Sequence, residues 1–262
     1  MLPALVRKTW LDDRRAIIGW VVGVGLFTII YTSFYTQFQG AAQLKQDNLP
    51  EGMLDFLGIE DMVSADGYLQ ATIFSLIGPL LVIMCAVTLT ARTIARPEEE
   101  GGMELLLANP VSRTAFAWQR LAAAGSAVTA VAAMPLLMLS IIVPAIDMDI
   151  PLSRVAAASV GLIAMAWCFT GIAFLVGAAT GRRGPVLAVT GVLAVGTYMA
   201  NAMGGMLDGL GWLRYLSPFY YFIGTDPLRT GWHPAELTLL AAVGVATAVV
   251  GVVRFYRRDV GI

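Results

Sequence analysis

Six stretches of this chain contain no charged residue: 16–44, 67–91, 121–146, 155–181, 184–207 and 237–253. Nothing else in the sequence constrains the fold so strongly. A helix rises about 1.5 Å per residue, so crossing the roughly 30 Å hydrocarbon core of a bilayer takes about 20 apolar residues. Each window reaches or nears that length, the last being the shortest. A water-facing fold needs about a quarter of its residues charged, and a disordered chain needs low hydrophobicity. Here 13% of the residues are charged and 58% are hydrophobic, which excludes both. The windows predict an all-α polytopic membrane protein, one domain over residues 1–262. Its spans fall at about 17–35, 68–91, 118–145, 155–180, 185–206 and 236–253. The first stops near Tyr35 because Thr36, Gln37, Gln39 and Gln43 raise the polarity beyond it.

The net charge of −1 conceals a sorting by side. Counted over alternate connections, 13 of the 17 basic residues fall on one side, which leaves only Lys45, Arg154, Arg214 and Arg229 on the other. The second side also carries 11 of the 18 acidic residues. The insertion machinery retains Lys and Arg in the cytoplasm. The expectation is therefore a multi-pass plasma-membrane protein with both termini cytoplasmic. The first span, preceded by Arg7, Lys8, Arg14 and Arg15, reads as an uncleaved anchor rather than a signal peptide. Cys85 and Cys168 both lie in apolar runs and read as small packing residues.

The connections carry more information than the spans. Leu5, Val6, Thr9 and Trp10 recur at helical spacing, with Arg7, Lys8 and Asp12 opposite and Pro3 in the first turn. This predicts a helix lying on the cytoplasmic membrane surface in contact with lipid; a basic flank serving only orientation is the competing reading. Within the long acidic loop that follows the first span, Leu49, Met53, Phe56 and Leu57 share one helical face. Between spans two and three, Pro97 suits a first helical turn, and Glu98, Glu99 and Glu100 complement the helix dipole. Met103, Leu106 and Leu107 then form an apolar strip closed by Pro110, and Ser112 is placed to start the next helix. An acidic start and an apolar strip between two prolines describe a docking helix. Beyond the fifth span, Trp212, Tyr215, Phe219, Tyr220, Tyr221 and Phe222 gather around Ser217 and Pro218 among glycines. Either a re-entrant hairpin or an aromatic belt on an ordinary loop fits that composition. Gly19 and Gly23 form a small-xxx-small pair on the first span, suited to close helix contact within one subunit or between two.

Much chemistry is missing. No ionisable side chain of the kind that moves protons or ions lies within a window. The single histidine, His233, sits in a connection. No G-x-S-x-G, H-E-x-x-H or C-x-x-C occurs, and neither lysine belongs to a phosphate-binding G-x-x-x-x-G-K loop. The chain is thus expected to be no enzyme, to hold no cofactor or metal of its own, and to bind no nucleic acid.

The run from Glu98 to Arg113, Glu-Glu-Glu-Gly-Gly-Met-Glu-Leu-Leu-Leu-Ala-Asn-Pro-Val-Ser-Arg, resembles the cytoplasmic loop of the permease subunits of ABC-2 type transporters. A small residue such as Thr commonly follows the first glycine in that family; Gly102 takes its place here. Tyr215-Leu-Ser-Pro-Phe219 with Asp226-Pro-Leu228 is similar to the family's segment before the last helix. The resemblance spans essentially the whole chain and implies an exporter half. Such a six-helix permease pairs with a second copy or a paralogue and is driven by a separate ABC-type ATP-binding subunit that holds ATP and Mg. It further implies that Glu98, Glu99, Glu100, Glu104, Leu105 and Leu106 couple to that ATPase. The helix carrying Leu5, Arg7, Lys8 and Trp10 becomes a second cytoplasmic contact, Gly19 and Gly23 pack at the subunit seam, and Tyr215, Ser217, Pro218 and Phe219 belong to an outer re-entrant element. A secondary carrier or channel not driven by ATP is the alternative.

Overall fold

The computed structural model describes residues 2–37, 64–99, 101, 112–206 and 210–258. Every regular element among them is helical. A short helix, α1 (Leu2–Asp12), leads into the first span, α2 (Arg14–Ser33). The second span comprises α3 (Ala65–Leu69), a π-helical turn (Gln70–Phe74) and α4 (Ile77–Ile94), with α5 (Arg96–Glu99) after it. The third is divided into α6 (Arg113–Ala132) and α7 (Met134–Ala145), and α8 (Leu152–Thr180) and α9 (Arg183–Met206) are the fourth and fifth. A 3₁₀ turn (Gly211–Leu216), α10 (Pro218–Ile223) and α11 (Pro227–Thr230) precede the sixth span, α12 (Pro234–Arg257).

All six predicted spans are present, their helices starting between one and eight residues ahead of the charge-free windows. Two of these starts are set by side-chain caps, since a helix need not stop where the lipid does. Ser64 accepts from the Gly67 N–H at 3.2 Å to start α3. Ser112 accepts from the Ala115 N–H at 3.2 Å to start α6, as its position in the sequence predicted. The second span departs from the expected unbroken helix. Pro79 has no N–H to return to Ser75, and the Ser75 N–H reaches back five residues to the Gln70 carbonyl at 2.8 Å. Gly78 fits this irregularity because a Cβ there would stand 2.0 Å from the Ile73 carbonyl oxygen.

The fourth span is the centre of the bundle, packing against the second, third, fifth and sixth. Lipid removes the hydrophobic drive between helices, so close contact has to come from small residues. A Cβ on Gly171 would lie 2.2 Å from the Gly244 carbonyl oxygen, one on Gly244 2.8 Å from the Trp167 carbonyl, and one on Gly251 3.0 Å from the Leu175 Cα. The backbones of α8 and α12 therefore touch along several turns. On its other side α8 sends Trp167 over Gly125 of α6, where the indole N–H donates to the Thr129 hydroxyl at 2.9 Å.

Candidate coupling site and subunit face

Thirteen of the basic residues gather at one end of the bundle, where spans two, four and six finish and spans one, three and five begin. Asp13 stands between α1 and α2 and makes no side-chain cap. Its carboxylate instead lies 3.4 Å from the Arg92 guanidinium at the end of the second span. Two residues of α5 reach further. Glu98 pairs with Arg258 just past the sixth span, and the Arg258 carbonyl accepts from the Arg113 guanidinium at 3.2 Å. Glu99 meets the first residue of α9, accepting the Arg183 backbone N–H at 2.7 Å on one oxygen and facing the guanidinium Nε at 3.1 Å with the other. The turn between spans four and five passes beneath: Gly181 has φ +65°, and a Cβ on it would lie 2.4 Å from the Glu98 oxygens. The side chains of these two pairs stay 22–35% exposed, so each contributes only about 0.2–1 kcal/mol to stability.

Of the residues the sequence singled out for coupling, Glu98 and Glu99 thus come together with Arg183 and Arg258. Glu100, Glu104, Leu105 and Leu106 lie outside the described residues. The helix expected over Leu5 to Trp10 exists as α1, with Thr9 buried, Trp10 half-buried and Arg7 and Lys8 exposed on the other face. The Leu5 side chain is outside the described ones. Trp10 donates from its indole to the Ser126 hydroxyl at 3.0 Å, and Arg120 donates to the Thr9 hydroxyl at 3.1 Å while its guanidinium sits 5.0 Å from the Phe116 ring centre. These bonds hold α1 along α6. Arg92, Arg120, Arg183 and Arg258 were read from the sequence only as markers of orientation, and Arg113 additionally as the end of the Glu98–Arg113 run. Their position at the limits of successive spans was the available sign that they meet.

Gly19 and Gly23 point away from the bundle, with no atom within 4 Å of where a Cβ would stand. Ile18, Val22, Leu26 and Ile30 are exposed on the same side of α2. Packing within the chain uses Gly25 instead, 3.3 Å from the Met134 methyl. The first and fifth spans both pack on the second, whose Leu80 and Met84 are also exposed.

At the opposite end the segment before the last span folds back as three short helical pieces. Ser217 is fully buried, donating to the Thr197 carbonyl of α9 at 2.7 Å and accepting from the Phe219 N–H at 3.2 Å. Pro218 occupies the first turn of α10. Phe219 and Phe222 turn inward, the first against Tyr198 and Phe169, the second against Phe74. Tyr215 stays 61% exposed, and its carbonyl accepts from the Tyr221 hydroxyl at 2.9 Å. The aromatic group is thus divided, with Phe219 and Phe222 in the core and Tyr215 at the surface. A second tie closes this end, where Arg229 reaches the Asp66 carboxylate at 3.0 Å.

Six apolar helices, each long enough to cross a bilayer, define an integral, all-helical membrane protein. Residues 8–256 match the family model described as "Multidrug efflux system permease Rv1217c, C-terminal domain", and the chain belongs to that family. A comparison with curated proteins gives no significant match. Membership makes the chain a permease of transport type, in accord with the expected ABC-2 resemblance.

Proposed function

We propose that the chain is the transmembrane subunit of an ATP-driven exporter of the ABC-2 type, with its basic end in the cytoplasm. The observation that carries this reading is the charge-free interior of a chain belonging to an efflux permease family. A proton- or sodium-driven carrier keeps ionisable groups at depth, and this chain offers none between the ends of its windows. Energy then enters from outside the membrane. The basic end supports that entry, because Glu98 and Glu99 join four spans immediately before the segment expected to dock a partner. A separate ATP-binding subunit supplies ATP and Mg there, with the Arg7 and Lys8 face of α1 as a second contact.

A second copy or a paralogue seats on the face made by the first span, the exposed stripe of the second and the fifth span. Gly19 and Gly23 let a neighbouring helix approach closely. Segment 211–230 stands at the outer exit. The family's description names multidrug efflux; by that likeness the cargo is a group of amphipathic small molecules, which suits a pathway lined by apolar side chains. Purification of the tagged chain from its native membrane tests the reading. A stoichiometric P-loop ATPase is expected alongside it, and export from vesicles should require ATP and survive collapse of the membrane potential. Export that fails with the potential and continues without ATP would establish a secondary carrier instead.

A further inference from the structure

The first N–H groups of a helix have no intrahelical acceptor, and a carboxylate placed there also meets the positive end of the helix dipole. The fifth span receives such a group from another connection: Glu99 accepts the Arg183 N–H at 2.7 Å across 84 residues of chain. Its neighbour Glu98 pairs with Arg258, which in turn holds Arg113 through its carbonyl. Two adjacent carboxylates at the exit of the second span therefore fasten it to the start of the fifth, the end of the sixth and the start of the third. The fit around them is specific, because Gly181 in its left-handed conformation leaves only enough room for the Glu98 carboxylate.

We propose that Glu98 and Glu99 are positioning residues that tie the end of the second span to the third, fifth and sixth spans so that these move together when the ATPase acts, rather than contacts made to the ATPase itself. This rests on the ATP-driven reading above. Partly exposed pairs add little to folding stability. Breaking them should leave a folded, assembled complex in which hydrolysis no longer drives export. A docking contact would behave differently, since its loss removes the ATPase.

The test uses the complex purified with its ATPase and reconstituted in vesicles. Glu98→Lys combined with Glu99→Lys is expected to retain the ATPase at the wild-type ratio and to keep hydrolysing ATP. Export per ATP should fall about tenfold, within the ordinary range of coupling energies. Glu98→Arg alone should also lower export per ATP, and the exchange that adds Arg258→Glu to it should restore most of that loss, because the pair is rebuilt with reversed charge. Gly181→Ala, which displaces the Glu98 carboxylate without altering any charge, should uncouple in the same sense. Loss of the ATPase from the double variant alone would make the two glutamates docking residues and overturn the proposal. Unchanged export per ATP in the double variant, or no recovery in the exchange, would overturn it as well. If the wild-type chain itself brings no ATPase, the ATP-driven reading fails and this proposal falls with it.

Discussion

The fourth and fifth spans follow one another in sequence, pack side by side and each carry several glycines, yet along most of their length they use them in opposite ways. In α8 a Cβ on Gly161 would stand 2.9 Å from the Phe222 ring, one on Gly171 2.2 Å from the Gly244 carbonyl, and one on Gly177 2.4 Å from the Ile94 side chain. In α9 the positions of Gly184, Gly191 and Gly196 are open, with nothing within 4 Å, and close packing is met at Gly204 near the end of the helix, where a Cβ would stand 2.5 Å from the Arg214 Cγ. The most apolar stretch of the fourth span is 61% buried, against 22% for that of the fifth. Both sequences are suited to lipid, and only one of them is enclosed by protein. Hydropathy thus reports that a helix crosses the membrane, while the number of its neighbours depends on where small residues meet a partner backbone. The first span, 28% buried and with Gly19 and Gly23 open, belongs with the fifth.

The sharpest way to break this comparison is to fill a glycine in each helix. Gly171→Leu forces α8 and α12 apart and should cost about 1–3 kcal/mol or more, the scale of overpacking a tight contact. Gly191→Leu should stay within about 0.5 kcal/mol, as surface changes do. Thermal unfolding in detergent reads both, and equal losses would remove the distinction between enclosed and open spans.

A smaller effect, confined to assembly, is expected at the first span. Gly19→Leu with Gly23→Leu should leave the single subunit as stable as wild type while lowering the yield of paired permeases, and a cysteine in place of Gly19 should cross-link between copies. An unchanged yield without any cross-link would assign this face to lipid alone. The smallest change concerns α1. Trp10→Phe removes the bond to Ser126 while keeping an aromatic ring, and should cost about 1 kcal/mol. No measurable loss in the same unfolding assay would mean that α1 is held by burial of Thr9 and Trp10 rather than by that hydrogen bond.

Much of the architecture was legible from charge spacing, because charged groups are excluded from hydrocarbon and mark where each span must end. The Ser112 cap was legible for a local reason, since it depends on residues within one turn. The break in the second span was also written in the sequence, as Gly78-Pro79, but a ruler made of charges does not register prolines. The partners of Glu98 and Glu99 were not legible. Arg258 and Arg183 lie 160 and 84 residues away, and only the folded bundle brings those ends together. Glycine gave the least warning of all: Gly171 and Gly191 look alike until the neighbouring backbone is known.

The seam between α8 and α12 also sets a timetable for synthesis. The fourth span leaves the insertion machinery before the helix that fills its groove has been made. At about 5–20 residues per second, the interval between residue 180 and residue 234 lasts several seconds. During that time the strip around Gly171 faces lipid or whatever protein attends the nascent chain. The groove on the fourth span is therefore closed only when the sixth arrives, and a product truncated between the two would keep the strip around Gly171 unfilled.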